Sequence, residues 1–336
     1  MTVTAPINIV VGTALVPPDV ADWLGAQAPG AVAVDYLPAP WQDQLNPAQI
    51  PEEWTGPLAR AHVFVGFPEV LRDLVAAASE MRWVQYYGAG YDRAPLDELR
   101  QAGIGLVSAA GAGATGVAEF AVMAMLSLAR RAPERYAAQG RREWHRFPSR
   151  EVAGRRVTVV GAGAIGSRLC RLTDALGMDV TCVRRRPGAG CPPGARQVLG
   201  PADLPAVLPQ TDVLILAAAL TAETEPLGLD DFARLPEGAL LVNVARGGLI
   251  DHEGLLAALP AGRPAAAWLD TPPIEPLPAD HPLWTAPNVV ISAHDATASE
   301  SYAANVAVLT LTHLRQWLAG EAMTNLVLPP GPPPGR

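Results

Sequence analysis

Runs of four to six apolar or β-branched residues recur along the chain, each followed by a stretch with apolar positions at helical spacing. In the first third, residues 7–11, 32–36, 62–65, 83–86 and 104–107 read as short buried strands. Residues 19–28, 69–78 and 96–102 read as the helices between them. Residues 37–57 carry too many prolines for a regular element and hold Trp41 and Trp54. Strands alternating with helices predict a parallel sheet covered on both faces. The loop Gly88-Ala89-Gly90-Tyr91-Asp92 follows one of these strands, at the end where open α/β sheets bind ligands.

From 114 to about 139 the pattern becomes long and helical, with Val117, Phe120, Ala121, Ala124, Met125 and Leu128 on one face. Pro133 should break or kink it, and so apolar a helix suits a connector buried between two domains. Residues 140–148, GRREWHRFP, are charged and aromatic and read as an exposed arm suited to a dimer contact.

The alternation then restarts. Val157–Val160 is a strand, Gly161, Gly163 and Gly166 stand at the G-x-G-x-x-G spacing, and the apolar face of a helix follows. The first glycine permits a tight turn, the second lets a pyrophosphate approach the backbone, and the third lets helix and strand pack closely. The phosphates of a dinucleotide would sit on the free N–H groups at the helix start. Gly177 ends that helix and residues 178–183 form the next strand. At its end an NAD enzyme places an acid for the ribose 2′-hydroxyl. Here Arg184, Arg185 and Arg186 stand instead, and guanidinium groups suit a 2′-phosphate. The expected cofactor is NADP(H), with NAD(H) as the second choice.

Residues 212–217, 238–243, 265–269 and 288–292 continue the strands, with helices at 203–208, 230–235 and 251–259. A last helix over 299–318 would return the chain to the first domain. The expected fold class is α/β, two Rossmann-like or flavodoxin-like parallel-sheet domains. Residues 1–109 with 297–328 are expected to form one domain, 110–296 a dinucleotide domain, and 329–336 a disordered tail.

Composition narrows the function. A chain of 336 residues with 49% hydrophobic content can build two cores, and a formal charge of −8 argues against a nucleic-acid surface. No run approaches the roughly 18 apolar residues of a membrane span, and the start lacks a signal-peptide pattern. Cys170, Cys182 and Cys191 are too few and too far apart for a disulfide framework or a zinc quartet. A cytoplasmic location is expected, with no metal. All 25 Lys+Arg positions are arginine, so chemistry that needs a lysine amine is excluded.

In order along the chain, GAGYD (88–92), TGVAEF (115–120), AGRRVTVVGAGAIGSRL (153–169), LTAET (220–224), PEGALLVNVARGGLID (236–251), LDTPPIEPL (269–277) and NVVISAHDA (288–296) resemble the D-isomer-specific 2-hydroxyacid dehydrogenases. That resemblance covers nearly the whole chain. It implies two similar α/β domains with the active site in the cleft between them, and reduction of a 2-oxo acid by a nicotinamide cofactor. Such a reaction needs a cation for the carboxylate and a proton donor for the carbonyl oxygen. Arg246 lies just past a strand end, and its fork suits a carboxylate, though alone it would equally suit a surface or capping role. His294 lies past another strand end, and imidazole suits proton transfer at neutral pH. Glu275 paired with it would hold the tautomer and keep the ring protonated. The resemblance maps the family's Arg, Glu and His onto these three. It also implies substrate-carboxylate binding by backbone N–H groups of Ala89 and Gly90. Cofactor contacts are implied for Ala164, Ile165, Thr221, Thr224 and Ala245, with Asp270 at the nicotinamide carboxamide.

Departures from the family pattern surround the histidine. Ala293 replaces the usual proline before it and Asp295 the usual apolar residue after it. Ser108 stands where Asn is common and Ala219 where Pro is common. Glyoxylate or hydroxypyruvate is the expected substrate, by likeness to reductases that share an NADPH preference, and a homodimer the expected assembly. The competing function is a non-catalytic, dinucleotide-sensing protein like the corepressors of the same fold, which can keep the triad.

Overall fold

The computed structural model describes residues 6–12, 16–27, 32–37, 52–67 and 78–333. All but the last residue of the helix expected over 69–78, with Trp41 and the last three tail residues, falls outside them. The chain divides into two compact units, Met1–Gly113 with Glu300–Arg336, and Ala114–Ser299.

In the first unit the strands are β1 (Ile7–Val11), β2 (Val32–Tyr36), β3 (Val63–Gly66), β4 (Trp83–Tyr86), β5 (Gly105–Val107) and β13 (Leu326–Leu328). They lie in the order β13-β5-β4-β3-β1-β2, all parallel except β13, which pairs antiparallel with β5. Strand β13 was not anticipated: three residues before a proline run carry almost no periodic signal. Ile7, Ile9 and Val11 point into one core layer and Val10, Phe64 and Val84 into the other, as alternation in a two-sided sheet requires. The helix Tyr302–Ala319 packs in the first of these layers through Val306, Leu314 and Trp317. The tail departs from the expectation of disorder over its described part. Trp317 Nε1 donates to the Gly331 carbonyl at 2.8 Å, and Pro330 packs so closely on Gly105 that a Cβ there would overlap it. A short helix, Thr55–Ala59, also forms where only loop was expected, and buries Leu58.

In the second unit the strands are β6 (Arg156–Val160), β7 (Asp179–Val183), β8 (Gln197–Leu199), β9 (Val213–Leu216), β10 (Leu240–Asn243), β11 (Ala266–Leu269) and β12 (Val289–Ile291). All are parallel, in the order β12-β11-β10-β9-β6-β7-β8. Strand β8 was missed because three residues behind the breaker run 187–194 are too short to show a period. The order reverses beside β6, and that switch point is where a doubly wound sheet opens to ligand.

The long apolar pattern from 114 resolves into Ala114–Ala129 and Ala132–Gly140. The break falls at Arg131, in the left-handed region with φ 53°, and Pro133 sits in the first turn of the second helix, where its missing N–H is harmless. The first helix belongs to the second unit's core: Val117, Ala121, Ala124 and Met125 pack with Val157, Leu169 and Val180. The arm beyond it is exposed, with Trp144 97% accessible, and Arg131 and Arg135 lie over the Phe147 ring.

Candidate functional site

Six strands of the second sheet deliver the predicted residues at their carboxyl ends. Gly161 follows β6, Arg184 follows β7, the loop holding Thr221 and Thr224 follows β9, Arg246 follows β10, Asp270 and Glu275 follow β11, and His294 follows β12.

At the fingerprint, Gly161 has φ 110°, and a Cβ there would overlap the Ala217 carbonyl. A Cβ on Gly166 would overlap the Gly161 carbonyl oxygen, so helix and strand approach at the limit of backbone contact. Gly163 differs: nothing lies within 4 Å of the corresponding point. It caps the helix Ala164–Ala175, whose first N–H groups have no intrahelical partner. Open space at the second glycine beside these donors fits a dinucleotide's pyrophosphate. Ala164 and Ile165 open the helix beside it. In the β9 loop, the Thr221 backbone N–H donates to Thr224 Oγ1 at 2.9 Å, and the two hydroxyls lie 2.9 Å apart.

The arginine cluster is not uniform. Arg184 Nη1 donates to the carbonyls of Gly190 at 3.1 Å and Ala189 at 3.4 Å, so this side chain braces the turn that follows it. Arg185 and Arg186 are exposed.

Arg246 is set by Asn243, a buried residue at the end of β10 that sequence reasoning did not single out. Asn243 Nδ2 donates to the Arg246 carbonyl at 2.8 Å, and the Ala245 N–H donates to Asn243 Oδ1 at 3.0 Å. The Arg246 guanidinium folds back, Nη1 donating to the Ala245 carbonyl at 2.7 Å. Gly247 has no room for a side chain because the Pro272 carbonyl lies against it. An asparagine two residues before Ala245, in a strand otherwise apolar, was the available signal.

His294 and Glu275 come together, with Nδ1 3.1 Å from Oε2 and side chains 37% and 18% exposed. His294 has φ 53°, a left-handed conformation uncommon for a non-glycine residue. The turn is held by Asp270. The His294 N–H donates to the Asp270 carbonyl at 2.8 Å, the Asp295 N–H to Oδ1 at 3.2 Å, and the Ala296 N–H to Oδ2 at 3.2 Å. Asp270 is 1% exposed, and burial raises its carboxyl above the usual range while a hydrogen bond from Ser292 opposes that. Asp295 is exposed, and its charge adds to the rise at Asp270.

The remaining two predicted residues, Ala89 and Gly90, lie in the first unit, in the loop after β4. That loop is anchored at its start, where the Tyr87 carbonyl accepts the Tyr302 hydroxyl at 2.6 Å and the Tyr87 N–H donates to the Gly66 carbonyl at 2.9 Å. Burial pushes the Tyr302 hydroxyl up to about 12, so it remains a donor at any physiological pH.

Residues 122–296 match a family model described as D-isomer specific 2-hydroxyacid dehydrogenase, NAD binding domain. A D-3-phosphoglycerate dehydrogenase of Methanocaldococcus jannaschii is 31% identical over 79% of this chain, but the match covers 51% of its own length. The chain thus spans about half of such relatives. A glyoxylate reductase of Korarchaeum cryptofilum is 32% identical, over 76% of this chain and 78% of that protein. Among solved structures, a D-isomer specific 2-hydroxyacid dehydrogenase of Xanthobacter autotrophicus in complex with NADPH and MES has 28% identity and a TM-score of 0.79. It covers 96% of this chain and 98% of that one. This chain belongs to the D-isomer specific 2-hydroxyacid dehydrogenase family.

Proposed function

We propose that the protein reduces a small 2-oxo acid, of the glyoxylate or hydroxypyruvate type, to the D-2-hydroxy acid with NADPH. The observation that carries this is the His294–Glu275 pair at 3.1 Å, at the same sheet end as Arg246 and the open glycine fingerprint. The bound nicotinamide supplies the hydride. Residues Gly161–Gly166 seat its pyrophosphate, Thr221 and Thr224 line the cofactor, and the arginines after β7 recognise the 2′-phosphate. Arg246 pairs with the substrate carboxylate and polarises the adjoining carbonyl. His294 delivers the proton from Nε2, because Nδ1 is engaged by Glu275, and the carboxylate stabilises the imidazolium before transfer. Relatives named glyoxylate reductase and glyoxylate reductase/hydroxypyruvate reductase support the substrate class.

The decisive assay follows NADPH oxidation with glyoxylate and with hydroxypyruvate. Turnover supports the enzyme, and NADPH binding with no turnover on a panel of 2-oxo acids would leave a dinucleotide sensor instead. We also propose a homodimer formed through the arm after Gly140, since a tryptophan 97% exposed is a poor surface residue in a lone subunit. Sedimentation of the parent and of Trp144→Ser tests it. A cytoplasmic location completes the proposal: all three cysteines are free thiols, in keeping with a reducing compartment.

A further inference from the structure

A second chain of hydrogen bonds runs behind the catalytic turn, away from the reacting groups. Trp268 Nε1 lies 3.1 Å from Ser292 Oγ, and Ser292 Oγ lies 2.7 Å from Asp270 Oδ1. An indole nitrogen only donates, so Ser292 accepts from Trp268 and must turn its own proton toward the carboxylate. Phe120 packs edge-on against the indole, with ring centroids 6.0 Å apart and planes at 88°, which fixes the donor. Register explains the meeting. Trp268 and Asp270 are two residues apart along the line of β11, on one face, and β12 pairs Leu269 with Ile291, which brings Ser292 alongside.

We propose that Ser292, oriented by Trp268, is a positioning residue for His294, acting through Asp270. The bond from Ser292 is the shortest that Asp270 receives, and it sets the plane of the carboxylate. That plane places Oδ1 and Oδ2 to take the N–H groups of Asp295 and Ala296. Those two bonds, with the His294 N–H on the Asp270 carbonyl, hold a left-handed residue that would otherwise relax toward negative φ. Relaxation would carry the ring away from Glu275. Ser292 touches neither His294 nor Glu275 among its hydrogen-bond partners, so its effect is on where the proton donor stands. This role rests on the reductase function proposed above.

The test measures kcat and KM for glyoxylate with NADPH in the full chain, for the parent, His294→Ala, Ser292→Ala, Ser292→Thr, Trp268→Phe and the Ser292→Ala/Trp268→Phe double variant. Ser292→Ala should lower kcat roughly tenfold to a hundredfold, as loss of a hydrogen bond to a charged group does, with KM within about twofold. Threonine should restore most of the rate. Trp268→Phe should lose severalfold, and the double variant should be no slower than Ser292→Ala, because both changes cut one chain. A Ser292→Ala enzyme within about twofold of the parent, losses that simply multiply, or a KM rise at unchanged kcat would overturn the role. Should Ser292→Ala not fold, an unchanged kcat in Trp268→Phe overturns it equally. An inactive parent overturns the reductase function itself, and an active parent with an unaffected His294→Ala removes His294 as its proton donor and the positioning role with it. An active parent, a dead His294→Ala and a normal Ser292→Ala remove only the positioning role.

Discussion

Nδ1 of His294 stands 3.1 Å from Oε2 of Glu275, although nineteen residues separate them in sequence. The carboxylate is the more sheltered partner, 18% exposed against 37%, so the pair is organised around a fixed acid and a ring that reaches outward. Replacing Glu275 by Gln keeps a hydrogen-bond acceptor and removes the charge. Reduction needs the protonated ring, and that form loses its counter-charge. At neutral pH kcat for glyoxylate reduction should therefore fall roughly tenfold or more. An unchanged kcat would show that the pairing does not serve proton transfer.

Arg246→Ala should cost on the order of a thousandfold in kcat/KM, because it removes both the carboxylate partner and the polarising charge. NADPH affinity should be unchanged, since the role proposed for the arginine is on the substrate. Fluorescence titration of NADPH alongside the rate assay separates the two effects. Near-normal kcat/KM would take Arg246 out of the mechanism.

The strands that carry these residues were legible because each is a short, largely apolar run, and the fingerprint because sterics demand glycine at Gly161 and Gly166. Roles that depend on one side chain's direction were not legible. Arg184 is spelled like its neighbours, yet it turns onto the Gly190 carbonyl. Asp270 is expected at the nicotinamide carboxamide, and nothing in its spelling announces that its carboxylate also accepts from Ser292 and from the turn after Ala293. Nothing in a sequence announces that His294 has φ 53°. Asn243, Trp268 and Ser292 sit one to three residues from recognised motif positions, and only the parallel register reveals that they meet them.

His252 gives the second unit a sensitivity to acid. Its Nε2 is buried with no hydrogen-bond partner among the described residues, and burial, aided by His281, lowers its pKa from 6.5 to about 4. Above pH 6.5 the ring is neutral whether the chain is folded or not. As pH falls from 6.5 toward 4, the unfolded chain takes a proton that the folded one refuses, so stability is lost across that window. The loss is on the order of 1–3 kcal/mol. His252→Gln cannot titrate. Its melting temperature relative to the parent should therefore improve by several degrees between pH 8 and pH 4.5. A difference independent of pH would mean that His252 is not the acid-sensitive group.

In the proposed reaction, cofactor choice rests on charge at the end of β7. NADPH and NADH differ by the 2′-phosphate alone, so the ratio of their kcat/KM values measures what Arg184 and Arg185 contribute. A hydrogen bond to a charged group contributes roughly 1.5–3 kcal/mol, and about 1.4 kcal/mol is tenfold. One or two such bonds, weakened by exposure, give a preference for NADPH of roughly tenfold to a thousandfold. The two arginines should separate. Arg185 is exposed and carries no turn contact among the hydrogen bonds described, so Arg185→Ala should reduce the preference by about tenfold and leave the NADH rate alone. Arg184 also braces the turn through Gly190 and Ala189, so its replacement should affect both cofactors. Arg184→Asp adds repulsion toward the phosphate and offers a carboxylate to the ribose hydroxyls, which should invert the preference. Steady-state rates with both cofactors for the parent and the two variants decide it. A parent that already favours NADH would reduce the cluster to a solvated turn, whereas a parent favouring NADPH with an uninverted Arg184→Asp would move recognition to Arg185.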